Sequence, residues 1–141
     1  MRNFLDTSVL VAAFWGSHVH HAASIKLLSS ASRKTSACGL HTLAEVYAAM
    51  TALPVRPMIP PEQAVLFVEE TRKRLSVVSL DDDEYIEAIR ATAELGWGSG
   101  RVYDALLMRC AAKVKAETIY TWNVKHFQAT APELAKRIRT P

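Results

Sequence analysis

Residues 2–14 read RNFLDTSVLVAAF. Arg2 to Leu5 has the make-up of a short strand that stops at Asp6. Ser8 to Phe14 is too apolar for a surface segment and is expected to start a helix straight off that strand. A strand that runs into a helix with an acid at the junction is how an α/β unit begins. In an open α/β sheet, ligands lie outside the carboxyl ends of the strands, where such a junction sits. The rest of the chain continues the alternation. Gly16-Ser17 interrupts the helix, and a helical pattern resumes from Ser17 with Val19, Ala22, Ala23 and Leu27 at helical spacing. A short strand is expected over 36–38 and a helix from Thr42 to about Leu53, ended by Pro54 and Pro57. Pro60-Pro61 introduce a helix over 62–75. Ser76 to Leu80 (SVVSL) reads as a buried strand, and Asp81 to Glu84 (DDDE) opens a helix that Gly96 caps. Trp97 to Gly100 forms a loop, Val102 to Lys115 a helix, Thr118 to Thr121 a strand, and Pro132 onward a short basic helix.

The chain has 141 residues, half of them hydrophobic, with only five glycines and six prolines. That excludes a disordered or collagen-like chain and suffices for one core. No repeat or linker interrupts it, so residues 1–141 are read as a single domain. Short strands alternating with helices predict a three-layer α/β/α sandwich with a short parallel sheet. Cys38 and Cys110 have neither metal nor redox spacing, which fits a reducing, cytoplasmic setting. Asp6 breaks the apolar N-terminus, nothing after it reads as a cleavage site, and no uncharged run is long enough for a membrane helix. The formal net charge is +3, but residues 101–141 carry eight Lys/Arg against three Asp/Glu. A basic segment on a near-neutral body suits a polyanion such as nucleic acid, with affinity that falls as salt rises; its plainer reading is a solvated helix surface.

Four side chains map to the carboxyl ends of strands: Asp6, Glu45, Asp104 and Asn123. Each acid also has a structural reading. Asp6 can cap a helix, Thr42-Leu43-Ala44-Glu45 has the form of a capping box, and Asp104 can complement a helix dipole. Taken jointly they point elsewhere. Asp6 and Asp104 stand among apolar neighbours, where an acid is costly to bury unless it is paired or metal-bound. Several carboxylates in one place need a cation, and oxygen-only ligands favour Mg²⁺ or Mn²⁺. Such an ion can activate water for phosphodiester cleavage.

The stretches FLDTSVLVAAF, LHTLAEVYAAM, GRVYDALLMRCAAK and IYTWNVKHF, in this order and over nearly the whole chain, resemble the PIN-domain family and, within it, the VapC-type toxins of toxin–antitoxin pairs. The resemblance implies the α/β/α sandwich, a metal-dependent endoribonuclease acting on RNA that is often structured, inhibition by a cognate antitoxin protein, and frequent homodimerisation. It implies that Asp6, Glu45 and Asp104 are the acidic metal-binding residues. Ser8 matches a small hydroxyl position after the first acid, and Thr121 and Asn123 match a threonine-x-asparagine stretch. Asn123 joins the acids as a catalytic candidate, and Ser8, Thr121 and Arg101 are expected to contact substrate. Many relatives carry a fourth acid at the position of Asn123 or of His126. Its loss predicts one well-held ion and a weaker second one, and it keeps open a catalytically weak or inactive module that binds RNA or protein. A receiver-like phosphoacceptor domain is disfavoured by the dispersed acids.

Other features carry less. His18, His20 and His21 (HVHH) would not share a helix face, and they are expected at the groove mouth touching phosphates rather than on zinc. The Gly96, Gly98 and Gly100 pattern is no dinucleotide fingerprint and is read as a loop that lets substrate backbone approach. Trp15, Trp97 and Trp122 are candidates for stacking on RNA bases, or for the core. The Pro54–Pro61 segment and the alanine-rich helices are candidate dimer or antitoxin surfaces.

Overall fold

A computed structural model describes residues 1–141. It begins with β1 (Asn3–Leu5), which passes into α1 (Thr7–Phe14), a turn, and α2 (His21–Ser30). Then come β2 (Ser36–Gly39), α3 (Leu40–Thr51), α4 (Pro61–Arg74), β3 (Ser76–Val78), α5 (Asp82–Glu94) and α6 (Arg101–Lys113). The chain closes with β4 (Thr118–Tyr120), α7 (Val124–Thr130), a 3₁₀ segment (Pro132–Arg137) and β5 (Ile138–Arg139). The five strands are all parallel, in the order β3-β2-β1-β4-β5. The expected three-layer α/β/α sandwich is present.

Alternation along the central strands builds the layers. Phe4 of β1 and Ala37 of β2 enter one core with Leu107, Met108, Ile119 and Phe127. Their neighbours Leu5 and Cys38 enter the other with Val9, Leu10, Val46 and Met50. Both faces of the central strands β1 and β2 are therefore dry. Phe4 is fully buried at the centre of the sheet. Phe4→Ala is expected to cost about 3–5 kcal/mol, read as a lower denaturant midpoint. Cys38 and Cys110 are free and buried, and burial pushes their thiols up to about 12 and about 11. They are inert core side chains.

Several boundaries depart from expectation. The second helix starts at His21, not Ser17, so His18 and His20 lie in a turn. There His18 Nδ1 accepts from the His20 amide at 3.0 Å, and His21 Nδ1 lies 2.9 Å from the Ala12 carbonyl. The third helix starts at Leu40 with Gly39 as its N-cap. Thr42 and Glu45 therefore form no capping box, and Glu45 falls in the second turn. Two elements were not foreseen: α7 between β4 and the C-terminus, and the two-residue edge strand β5 beyond the 3₁₀ segment. The Asp81–Glu84 run does what a solvated helix start does. Asp81 accepts from the Glu84 amide, and the Glu84 carboxylate accepts from the Asp81 amide. At the other end of α5, Gly96 takes φ +76°, with amide bonds from Gly96 to Ala93 and from Trp97 to Thr92. That is a Schellman cap, and it needs a glycine there. No helix is long and apolar enough to cross a membrane.

Candidate active site

The strand order reverses at β1: β2 and β3 extend the sheet on one side, β4 and β5 on the other. The crevice that opens at such a switch point lies above the carboxyl ends of β1 and β4. Asp6 stands there as the last residue of the β1 exit and the N-cap of α1. Its Oδ2 accepts from the Ser8 amide at 3.3 Å, from Ser8 Oγ at 2.8 Å and, across the crevice, from Thr121 Oγ1 at 2.9 Å. Ser8 Oγ in turn accepts from the Trp122 amide at 3.0 Å, and Thr121 Oγ1 accepts from the Asn123 amide at 3.0 Å. Thr121 is fully buried. The two hydroxyls expected at the substrate are thus engaged in holding the Asp6 carboxylate and the β4 exit. Asp6 itself is 3% exposed. Burial pushes its carboxyl above the usual range, against the opposing pull of the Ser8 and Thr121 bonds.

Glu45 projects from α3 and accepts from Thr7 Oγ1 at 2.8 Å, and the same hydroxyl lies 3.2 Å from Thr42 Oγ1. Thr7 sits next to Asp6, so the residue after the first acid positions the second. Burial raises the Glu45 carboxyl most; the Thr7 bond and His41 pull it down, and the charges of Asp6 and Asp104 push it up. Glu45, on α3, therefore feels the acids at the end of β1 and on α6 across one end of the sheet. Asp104, in the first turn of α6, bonds through Oδ2 to His126 Nε2 of α7. That pairing was not foreseen; His126 stood out in the sequence only as a place without an acid. Asn123 precedes α7 with an exposed, uncapping side chain, beside a cleft of about 400 Å³ lined by Trp122, Lys125, His126 and Thr140.

Arg101 opens α6 one turn before Asp104. Its guanidinium lies 3.9 Å from the Trp97 ring centroid, and its Nη1 is buried without a hydrogen-bond partner. Trp122 stacks on His20, with centroids 3.7 Å apart and planes 7° apart, and its Nε1 donates to Ser24 Oγ at 2.8 Å. Trp15 packs against the core under α1.

As the side chains stand, no three His, Cys, Asp or Glu groups are close enough to hold a metal ion. Glu45 leans on Thr7 and Asp104 on His126, so the acids share one end of the sheet without closing on one point. The donor set still fits a hard divalent cation. It consists of carboxylate oxygens, and burial raises the pKa of two of the acids, Asp6 and Glu45, with the charges of Asp6 and Asp104 adding a smaller push at Glu45. The C-terminal basic surplus is partly discharged, because Lys113 pairs with Glu84 and Arg109 with Glu87.

A family model described as "PIN domain" matches residues 4–131. Among solved structures, the chain is similar to Mycobacterium tuberculosis VapC20, a sarcin–ricin loop cleaving toxin, with 17% identity, TM-score 0.73 and 90% of this chain and 94% of that one covered. It is similar to VapBC-1 from nontypeable Haemophilus influenzae, with 19% identity, TM-score 0.64 and 99% and 98% covered. It is also similar to VapBC2 from Rickettsia felis, bound to a promoter DNA fragment, with 21% identity, TM-score 0.61 and 91% and 92% covered. At these identities the likeness is one of fold. No curated protein matches the chain significantly.

Proposed function

Since the chain belongs to the PIN domain family, we propose that it is a metal-dependent endoribonuclease and the toxin of a toxin–antitoxin pair. The observation that carries this reading is the placement of Asp6, Glu45 and Asp104 at one end of the sheet, two of them with raised carboxyl pKa values. The three acids would hold Mg²⁺ or Mn²⁺. Bound there, such an ion supplies positive charge for the phosphate and lowers the pKa of water. The protein supplies the rest. Ser8 and Thr121 fix Asp6 through Oδ2, and Thr7 aims Glu45. Asn123, exposed beside them, can donate its amide to a phosphate oxygen. Arg101, one turn from Asp104, can do the same with the charge of its guanidinium.

The partner is proposed to be a cognate antitoxin protein, since similar folds are found in VapBC complexes. A homodimer is proposed as well, through the exposed apolar side chains Tyr85, Ile86 and Ile89 of α5. The deciding experiment uses antitoxin-free protein and total cellular RNA with Mg²⁺, Mn²⁺ or EDTA, and maps the cut ends. Discrete cuts that EDTA abolishes are expected. RNA that is bound but never cut would replace the nuclease with a binding module.

The Thr7–Glu45 bond offers a finer test. Thr7→Val should weaken Mg²⁺ or Mn²⁺ binding by about 10–100-fold, the usual cost of losing a group that orients a ligand, while Thr7→Ser should retain it. Calorimetric titration of the free protein measures both.

A further inference from the structure

The acid cluster has an aromatic wall that the proposed chemistry leaves unused. Tyr103 of α6 stacks on His41 of α3, with ring centroids 4.8 Å apart and planes 15° apart. Tyr103 directly precedes Asp104, and His41 lies one helical turn before Glu45. The pair therefore bridges the two helices that carry two of the three acids. Tyr103 belongs to neither core and is 46% exposed. One face of its ring is stacked on His41, and nearly half of the residue is open to solvent. Two tryptophans have partners of their own: Trp122 stacks on His20 and bonds Ser24, and Trp97 carries the Arg101 guanidinium.

We infer that the His41–Tyr103 stack is a nucleobase platform, on which an unpaired base of the RNA next to the cut phosphate lies against Tyr103. This rests on the ribonuclease reading and names what the site selects: RNA whose bases are splayed out around the cut, rather than a continuous duplex. A phosphate placed among the acids brings its neighbouring bases within reach of both helices. Every base has a π face, so the platform would fix the register of the strand without dictating its sequence.

The test uses a short RNA spanning the mapped cut, with a phosphorothioate at that linkage to slow hydrolysis. Binding is measured for intact RNA and for RNAs with one abasic nucleotide at successive positions. In the unmodified protein, one abasic position beside the cut should weaken binding about tenfold. Tyr103→Ala should bind intact RNA about tenfold more weakly and be indifferent to that abasic position, and Tyr103→Phe should behave as the unmodified protein. An abasic penalty that survives unchanged in Tyr103→Ala overturns the platform. So does a Tyr103→Ala protein that binds RNA normally but changes its mass on size-exclusion chromatography or its antitoxin affinity, since the ring would then be a protein contact. If the unmodified protein neither cuts nor binds RNA, the ribonuclease reading itself fails, and the three proteins will be alike.

Discussion

Asp6→Asn is expected to reduce metal-dependent RNA cleavage by on the order of a hundredfold or more, because losing even a group that orients a metal ligand costs 10–100-fold. The substitution is informative because it keeps the local fold. Asn is as good an N-cap as Asp, so the first turn of α1 keeps its acceptor for Ser8. The amide oxygen can also take the Thr121 hydroxyl that links β1 to β4. What disappears is a buried negative charge. Burial raises the Asp6 carboxyl, so the ionised form is disfavoured in the folded chain. Its removal should leave the metal-free thermal midpoint unchanged or higher. Loss of cuts together with an intact or raised midpoint, read by cleavage mapping and circular dichroism, assigns the defect to chemistry. A variant that cuts at the original rate would take Asp6 out of the site.

Much of this site was legible because its acids sit where local patterns change. FLDTSV marks a strand-to-helix junction by composition alone, and Asp6 falls on it. Asp104 falls in the first turn after a glycine loop, as the spacing suggested. Glu45 was harder. Thr42 and Glu45 have the right separation for a capping box, but α3 begins at Leu40, because Gly39 ends β2 with no intervening loop. Moving the N-cap from Thr42 to Gly39 turned an apparent cap into a pair of side chains that both lie near Thr7. Long-range pairings were not legible at all. His126 meets Asp104 across 22 residues, and Trp122 meets Ser24 across 98. Each joins elements whose proximity follows from the sheet order. Strand β5 escaped because a two-residue edge strand has no periodicity, and α7 because seven residues present less than two full helical turns of apolar pattern.

The charges that make the site also set how stability depends on pH and metal. Asp6 and Glu45 both have raised folded-state pKa values. A carboxyl raised on folding stabilises the protein while it is protonated, and that contribution is lost as pH rises through the raised value. Without metal, these two groups should therefore make the protein less stable at neutral than at mildly acid pH. Glu84, lowered chiefly by its bond to Lys113, works in the opposite direction; its contribution is lost as pH falls. A divalent cation reverses the sign for the two acids, because it binds their ionised forms. At a concentration a hundred times its Kd it should add about 2.7 kcal/mol of stability. That increment should grow from acid to neutral pH and be largely absent in Asp6→Asn. The count of ions follows from the same residues. Asn123 brings no charge, and His126 is already on Asp104, so three carboxylates are expected to hold one ion tightly, and a second only weakly or with the phosphate of a bound RNA. Calorimetric titration with Mn²⁺ reads the stoichiometry, and two tight sites in the free protein would mean that Asn123 or His126 replaces the missing acid in full. Thermal melts across pH, with and without metal, read the linkage. A metal-independent melting curve at neutral pH would show that the acids repel one another for no cation's benefit.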